Sequence, residues 1–191
     1  YIGTELCKIY SGYSWNDKII VIDNRFVSER VNQIRNWNMD FIQGDILDKN
    51  LIKKYCSDAD VVHHLAGITD VPRVKSESNE LHDKKIKEVA EEGTQNILDV
   101  IKDNCKIIFP STHVVYEGID KVKTDIKEEE NTKPVLSYSK SKSINEQQLK
   151  NSKKNYVILR LGSVYGYSTD TMRMDIMPNL FSKISSQNGT L

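Results

Sequence analysis

The sequence has few cysteines, no net charge and no long hydrophobic run, and each of these absences argues against a class of protein. Its three widely spaced cysteines, Cys7, Cys56 and Cys105, match neither a disulfide framework nor a metal motif and are typical of reduced thiols in a cytoplasmic protein. The 27 basic and 27 acidic residues give a formal net charge of zero, which argues against nucleic acid or an anionic membrane as main partner. No hydrophobic run approaches the length of a membrane-spanning helix.

The adjacent histidines His63 and His64 do not suggest a metal site. Neighbouring side chains on a strand point to opposite faces, and neither histidine has a cysteine or carboxylate partner at ligand spacing. We therefore predict no metal.

The length of 191 residues suits one sizeable domain, or one domain and part of another. The sequence begins at Tyr1 without a methionine and ends at Leu191 without a recognisable terminal element. We interpret it as incomplete at both ends, with a main domain over residues 1–166 and the beginning of a smaller lobe over residues 167–191.

Short β-branched segments alternate with segments of helical periodicity. The predicted strands cover residues 18–23, 39–43, 60–65, 106–109 and 156–161. The predicted helices cover residues 4–13, 28–36, 48–55, 79–102 and 138–151. This alternation predicts an α/β fold in which helices cover both faces of a doubly wound parallel sheet. The charged residues 119–134 have no hydrophobic period and are predicted to form an exposed loop.

Small or polar residues follow four of the predicted strands. They are Asp23-Asn24, Asp45-Ile46, Ala66-Gly67 and Ser111-Thr112. Because ligands of parallel sheets bind at the carboxyl ends of the strands, this agreement predicts a binding site at one edge of the sheet.

Two of these strand ends and the first three residues of the chain each allow two interpretations. Asp23 either accepts both hydroxyls of an adenosine ribose, which favours NAD over NADP, or simply ends its strand. Asp45 and Ile46 either contact an adenine, or Asp45 belongs to a helix N-cap, since Asp45 and Asp48 both precede a helical segment, and the local pattern slightly favours the cap. Tyr1-Ile2-Gly3 precedes a helix whose N-terminus would bind a pyrophosphate, or its glycine is there by chance.

Tyr138 and Lys142 form the most informative pair in the chain. Their four-residue spacing puts them on one face of a predicted helix. A phenol beside a cation ionises more readily, so the pair can act as a general base toward an alcohol. Roughly one Tyr-x-x-x-Lys match is expected by chance in such a composition, so the spacing needs support from other motifs. Ser111-Thr112 upstream and residues 160–166 downstream provide that support.

Taken in order, these motifs resemble those of the extended short-chain dehydrogenase/reductases. The resemblance is to the NAD-dependent epimerase/dehydratase family, in particular its UDP-glucose 4-epimerase-like members. The matching segments are Tyr1-Ile2-Gly3, Asp23-Asn24, Gly44-Asp45-Ile46, His64-Leu65-Ala66-Gly67, residues 110–116, Tyr138 with Lys142, and residues 160–166.

The resemblance implies a Rossmann-like NAD-binding domain that lacks its first strand, followed by part of a substrate-binding lobe. It implies NAD as cofactor, a nucleotide sugar as substrate, and a homodimer formed through helices 79–102 and 138–151. The cofactor-binding positions that it implies are Tyr1, Ile2, Asp23, Asn24, Asp45, Ile46, Leu65, Ala66, Gly67, Tyr138, Lys142 and Leu161. The implied substrate contacts are Thr112, His113 and Ser163.

The resemblance also implies a mechanism. Tyr138 as phenolate takes the proton of a sugar hydroxyl while hydride leaves the same carbon for the nicotinamide. Lys142 favours the phenolate and holds the nicotinamide ribose, and Thr112 orients the substrate oxygen.

Five residues depart from the family pattern. His113 and Val114 stand where dehydratases and decarboxylases carry acidic residues after the catalytic threonine, which favours epimerase or reductase chemistry. Ser163 and Ala90 replace asparagines, and Glu117 replaces a glycine. The leading hypothesis is an NAD-dependent nucleotide-sugar epimerase. The alternatives are a reductase or dehydratase of the same family, a non-catalytic NAD-binding member, and a fragment too incomplete to be active.

Overall fold

The computed structural model describes residues 1–13, 17–69, 79–168, 173–174 and 176–187. The helices are α1 (Ile2–Ser11), α2 (Ser28–Asn36), α3 (Lys49–Cys56), α4 (Glu80–Val100), α5 (Ser137–Asn151) and α6 (Met177–Ser186). The strands are β1 (Ile20–Asp23), β2 (Asp40–Gln43), β3 (Val61–His63), β4 (Lys106–Thr112) and β5 (Asn155–Leu161). A short 3-10 helix, His113–Tyr116, follows β4.

All five predicted strands and all five predicted helices are present, with ends shifted by a few residues. Residues 119–134 contain no helix or strand, as predicted. The 3-10 helix and α6 were not predicted. Of the predicted lobe, residues 169–172, 175 and 188–191 lie outside the described part of the chain.

Every strand pairing in the described residues is parallel, which confirms the predicted α/β class. β1 pairs with β2, from Ile20 beside Asp40 to Asp23 beside Gln43. β4 lies between β3 and β5 in a second, three-stranded sheet.

Two compact units are distinguished within the chain. Unit 1 comprises residues 1–43 and 162–191, and unit 2 comprises residues 44–161. The predicted boundary after residue 166 stays a prediction. The core of unit 1 includes Val31 and Ile34 of α2, and that of unit 2 includes Phe109 of β4 and Leu149 of α5.

β4 extends three residues beyond its predicted end at Phe109. Its continuation to Thr112 pairs with β5, where Thr112 lies beside Leu161. The Ile108 carbonyl accepts from the His64 N–H at 3.0 Å, so Ile108 faces the β3 side of β4. Pro110, two residues later, faces the same side, where β3 has ended, and the N–H that proline lacks is therefore not needed for strand pairing.

α4 packs closely in unit 2 because of a mid-helix glycine. A Cβ at Gly93 would lie 2.8 Å from the Cγ2 atom of Ile46, so a larger residue would push this side chain away. Asn145 and Gln148 of α5 donate to backbone carbonyls of α4, at Ala90 and Glu91, over 2.9 Å each. No helix in the described part of the chain is long and apolar enough to span a membrane.

Candidate active site

The carboxyl end of β4 holds the two hydroxyl residues Ser111 and Thr112, both buried. Thr112 Oγ1 accepts a hydrogen bond from the Val114 N–H at 3.3 Å, at the start of the 3-10 helix. This bond uses a lone pair of the threonine oxygen and leaves its O–H proton able to donate to another acceptor.

α5 brings Tyr138 and Lys142 together, as their spacing predicts. Tyr138 lies in the first turn of α5 and is half-buried. The Lys142 ammonium lies 5.8 Å from the centroid of the Tyr138 ring and 4.5 Å from that of the Phe109 ring. The phenol and the ammonium therefore share one face of the helix.

Lys142 is buried, with 8% of its surface exposed. Its Nζ donates to the Pro110 carbonyl at 2.9 Å, on the side of β4 where β3 has ended. Burial lowers the pKa of Lys142 to about 8, because the interior disfavours its charged form. The ammonium is thus held beside the end of β4 by a neutral carbonyl and an aromatic ring.

His64 lies buried next to this lysine. Its Nε2 atom is 2.8 Å from Thr94 Oγ1 of α4, and its ring centroid lies 5.3 Å from that of Phe109. Burial, and then the charge of Lys142, lower the pKa of His64 to about 3. The imidazole is therefore neutral at neutral pH and adds no charge beside Lys142.

A buried ionic cluster behind Lys142 was not predicted from the sequence. Glu146, with 1% of its surface exposed, accepts hydrogen bonds from Arg160 Nε at 2.9 Å and from Arg160 Nη2 at 2.6 Å. The Ser111 hydroxyl donates to the same carboxylate at 2.6 Å. Burial acts to raise the pKa of Glu146, but the bonds from Arg160 and Ser111 outweigh it and leave this pKa below its usual value.

This cluster joins β4, α5 and β5 at one end of the sheet. Arg160 Nη1 also donates to the Glu128 carbonyl at 2.9 Å and to the Tyr116 hydroxyl. Arg160, part of the downstream motif, is thus a structural anchor. The signal for Glu146 was its position, one turn after Lys142 on the face of α5 that bears Tyr138.

His113 and Leu161 are also brought together. The His113 Nδ1 atom lies 3.1 Å from the Leu161 carbonyl oxygen. Because a carbonyl only accepts, Nδ1 carries a proton, and in the neutral ring Nε2 is the acceptor. His113 is exposed at the carboxyl edge of β4 and β5.

The structure corrects the interpretation of Asp45 as a helix cap. Asp48 is the N-cap of α3, because its Oδ1 atom accepts from the amides of Asn50 and Leu51 at 3.0 Å each. Asp45 instead closes a local turn in which Oδ1 accepts from the Leu47 N–H at 2.9 Å. Its partner in the motif, Ile46, is buried beside α4.

Beyond the buried His64, the next residues after β3 become more exposed. Leu65 is half-buried, and Ala66 and Gly67 are exposed. A Cβ placed on Gly67 would have no atom within 4 Å. The backbone of Ala66 and Gly67 is therefore exposed.

In unit 1, Asp23 is exposed at the carboxyl end of β1. Its Oδ1 atom accepts from the Arg25 N–H at 2.8 Å, so the local turn is formed. A carboxylate has further lone pairs, so this bond leaves Asp23 able to accept from a ribose. The carbonyl of Asn24 accepts from Gln43 Nε2 at 3.4 Å.

The other predicted positions of unit 1 lie at the start of α1 and shortly after β5. Tyr1 occupies the N-cap position of α1, and its hydroxyl donates to the Tyr165 carbonyl at 3.3 Å. Ile2 begins the helix and is exposed. Ser163 is exposed, two residues after the end of β5.

The fold and the motifs agree with comparisons to known proteins. The NAD dependent epimerase/dehydratase family model matches residues 1–190. The chain belongs to this family. The family predicted from the sequence motifs is thereby confirmed, and its description names NAD as the cofactor.

Two curated relatives match about half of this member of the epimerase/dehydratase family. One is a UDP-N-acetyl-alpha-D-glucosaminuronate decarboxylase from Bacillus cytotoxicus, 33% identical over 51% of this chain and 30% of that protein. The other is a CDP-paratose 2-epimerase from Salmonella typhi, 37% identical over 45% of this chain and 25% of that protein. The matches therefore span less than a third of each relative.

Solved structures share the fold over most of the chain. A UDP-glucuronic acid 4-epimerase from Bacillus cereus in complex with NAD has a TM-score of 0.76 at 24% identity, covering 100% of this chain and 61% of that chain. A UDP-glucose 4-epimerase from Brucella ovis in complex with NAD has a TM-score of 0.68 at 27% identity, covering 88% of this chain and 50% of that chain. The present chain thus spans about half to three fifths of these enzymes.

Proposed function

We propose that this chain contains the NAD-binding and catalytic residues of a nucleotide-sugar epimerase. The observation that supports this most is the attachment of α5 to the end of β4. The Lys142 ammonium donates to the Pro110 carbonyl, and the Ser111 hydroxyl donates to the Glu146 carboxylate. Two successive turns of α5 are therefore attached to the two residues that precede Thr112. This arrangement holds Tyr138 and Thr112 at the same end of unit 2.

Each unit has residues whose chemistry suits part of an NAD molecule. In unit 1 the exposed carboxylate of Asp23 would accept the adenosine ribose hydroxyls, and Tyr1 and Ile2 at the start of α1 would face the pyrophosphate. Asn24 is a further proposed contact of unit 1. In unit 2 the exposed backbone of Ala66-Gly67 suits the nicotinamide, with Asp45, Ile46, Leu65 and Leu161 as further proposed contacts. When bound, NAD supplies the hydride acceptor.

Three side chains of unit 2 would perform the proton chemistry. Tyr138 takes the proton of a sugar hydroxyl as a general base. Lys142 is mostly protonated below pH 8, so its charge favours the phenolate form of Tyr138. The Thr112 hydroxyl donates to the substrate oxygen, and His113 and Ser163 are proposed to contact the rest of the sugar nucleotide.

Epimerisation is favoured over elimination because of the residues after Thr112. Val114 has no acid–base group, and it stands at a position where the dehydratases and decarboxylases of the family that the motifs resemble carry an acid. The two curated relatives are a decarboxylase and a 2-epimerase, so the reaction varies among proteins similar to this chain. The absence of that acid is our reason for proposing epimerisation rather than elimination.

The reaction can be identified from its products. Protein that includes residues 1–191 is incubated with NAD and a panel of UDP- and CDP-sugars, and the products are analysed by NMR. We expect a sugar inverted at one carbon, with no loss of water or carbon dioxide. An elimination product would indicate a dehydratase, a decarboxylated product a decarboxylase, and accumulation of reduced nicotinamide a reductase. Each of these results would contradict the proposed epimerase. NAD binding without turnover of any sugar would indicate a non-catalytic member.

We further propose a cytoplasmic homodimer formed through α4 and α5. These helices pack against each other in unit 2, and Leu81 on α4 exposes most of its side chain. Light scattering with size exclusion would test the dimer, and Leu81→Glu is expected to weaken it. A monomeric wild-type protein would contradict the proposal.

A further inference from the structure

Glu117 lies directly after the 3-10 helix that follows Thr112. Its Oε1 atom accepts from the backbone N–H groups of Val135 at 2.8 Å and Leu136 at 2.7 Å. The hydroxyl of Ser139, which is fully buried, also donates to this oxygen. One carboxylate oxygen therefore contacts the two residues before α5 and a residue of its first turn.

α5 has no cap from its own sequence. Leu136 occupies the N-cap position and, being a leucine, makes no side-chain cap hydrogen bond. A negative charge near the N-terminus of a helix is favourable, because it faces the positive end of the helix dipole. Glu117 supplies this charge from 19 residues before Leu136.

The backbone around Glu117 is paired with the same segment. Gly118 N–H donates to the Lys133 carbonyl at 2.9 Å, and Lys133 N–H donates to the Val115 carbonyl at 2.8 Å. A Cβ at Gly118 would lie 2.5 Å from the Lys133 oxygen, so only glycine permits this approach. Residues 115–118 and 133–136 thus close the loop of residues 119–134 at its base.

Glu117 is ionised at neutral pH. Burial acts to raise its pKa, but the hydrogen bonds from Ser139, Leu136 and Val135, together with the charge of Lys140, bring the pKa below its usual value. The motif that this chain resembles has a glycine at position 117, so the carboxylate is a feature of this chain and not of the motif.

We propose that Glu117 is a positioning residue for Tyr138. It lies five residues after Thr112 and bonds to Ser139, the neighbour of Tyr138, so it fixes the start of α5 relative to the end of β4. The proposal rests on the proposed role of Tyr138 as general base. Loss of the carboxylate should displace the phenol without removing any group that touches substrate or NAD.

Hydrogen exchange tests the contact without any need for activity. In Glu117→Ala, the amides of Val135 and Leu136 should exchange at least about fivefold faster, because each loses its acceptor. Glu117→Gln should retain slow exchange, since an amide oxygen can still accept both bonds. Glu129→Ala, an exposed acid in the same loop, is the matched control. Unchanged exchange in Glu117→Ala would overturn the proposal.

Kinetics and NMR test the positioning itself. Glu117→Ala should lower kcat by about 100-fold, as a displacement near 1 Å can, with KM and NAD affinity almost unchanged, and Glu117→Gln should restore most of kcat. Equal loss in both variants would overturn the proposal.

Absence of turnover in the wild-type protein would be a failure of the proposed function. The ring signals of Tyr138 then decide on Glu117. A shift in Glu117→Ala that Glu117→Gln reverses supports positioning, and unchanged signals contradict it.

Discussion

The end of β4 in unit 2 and the end of β1 in unit 1 hold their polar residues in different ways. At the end of β4, Ser111 and Lys142 are buried, and their partners come from distant parts of the chain or from the strand backbone. At the end of β1, Asp23 is exposed and bonds to an amide two residues away.

The difference reflects what each region is proposed to do. Acid–base groups must be held in a fixed geometry by surrounding contacts, which requires buried and fully paired supports. A carboxylate that accepts ribose hydroxyls needs only to stay exposed at a strand end. Substitutions at the end of β4 should therefore change the free energy of unfolding, and substitutions at the end of β1 should change ligand affinity.

The largest expected effect follows from removal of the Glu146 carboxylate. Glu146→Ala leaves the Arg160 guanidinium, 13% exposed in the side chain, without its main partner, and should cost about 3–5 kcal/mol of unfolding free energy. Urea unfolding followed by circular dichroism measures this. The exposed Glu129→Ala should stay within about 0.5 kcal/mol of wild type. A loss below about 1 kcal/mol for Glu146→Ala would break the contrast between the two regions.

Replacement of Lys142 should stabilise the fold, whereas replacement of Glu146 should destabilise it. Its folded pKa of about 8 lies below the ordinary 10.5, so burial costs about 3 kcal/mol while the lysine is protonated. Between pH 8 and 10.5 this lysine is more often protonated in the unfolded chain than in the folded one, so its contribution makes stability rise with pH. Below pH 8 the lysine is charged in both states, and the full cost of its burial applies.

Lys142→Met should therefore stabilise the protein at pH 7, by about 1–3 kcal/mol, while it abolishes turnover. It should also remove the rise in stability above pH 8. Urea titrations from pH 7 to 10 measure both, with the exposed Lys140→Met as control. A Lys142→Met protein less stable than wild type would show that burial of the charged lysine does not destabilise the fold.

The smallest effect on stability is expected at Asp23. Asp23→Asn keeps an oxygen that can accept from the Arg25 amide, so unfolding should change by less than about 0.5 kcal/mol. Loss of the charged acceptor should weaken NAD binding about tenfold, measured by calorimetry. Asp40→Asn, which breaks an exposed ion pair with Lys18 at 3.1 Å, controls for charge. Unchanged NAD affinity in Asp23→Asn would contradict the proposed ribose contact.

The same contrast explains what the sequence could predict. Alternation of strands and helices, the positions of strand ends, and the approach of Lys142 to Tyr138 all follow from local periodicity. The corrected assignment at Asp45 concerned which of two acids caps α3, and caps depend on local geometry that composition does not determine.

The supporting contacts could not be predicted because they join residues that periodicity does not relate. Glu146 meets Arg160 across 14 residues, and Glu117 reaches Leu136 across 19, through a loop whose charges give no register. The family motif gives no indication of a role for Glu117, because it has a glycine at that position. Such partners become visible only when the packed structure brings them together.

The central claim is that Tyr138 removes the proton during oxidation of a sugar carbinol. The most direct test compares Tyr138→Phe with wild type in a single turnover, by following reduction of bound nicotinamide after addition of an accepted sugar nucleotide. Reduction should be lost, by at least about 1000-fold, while NAD affinity stays unchanged. Reduction at the wild-type rate in Tyr138→Phe would contradict this assignment.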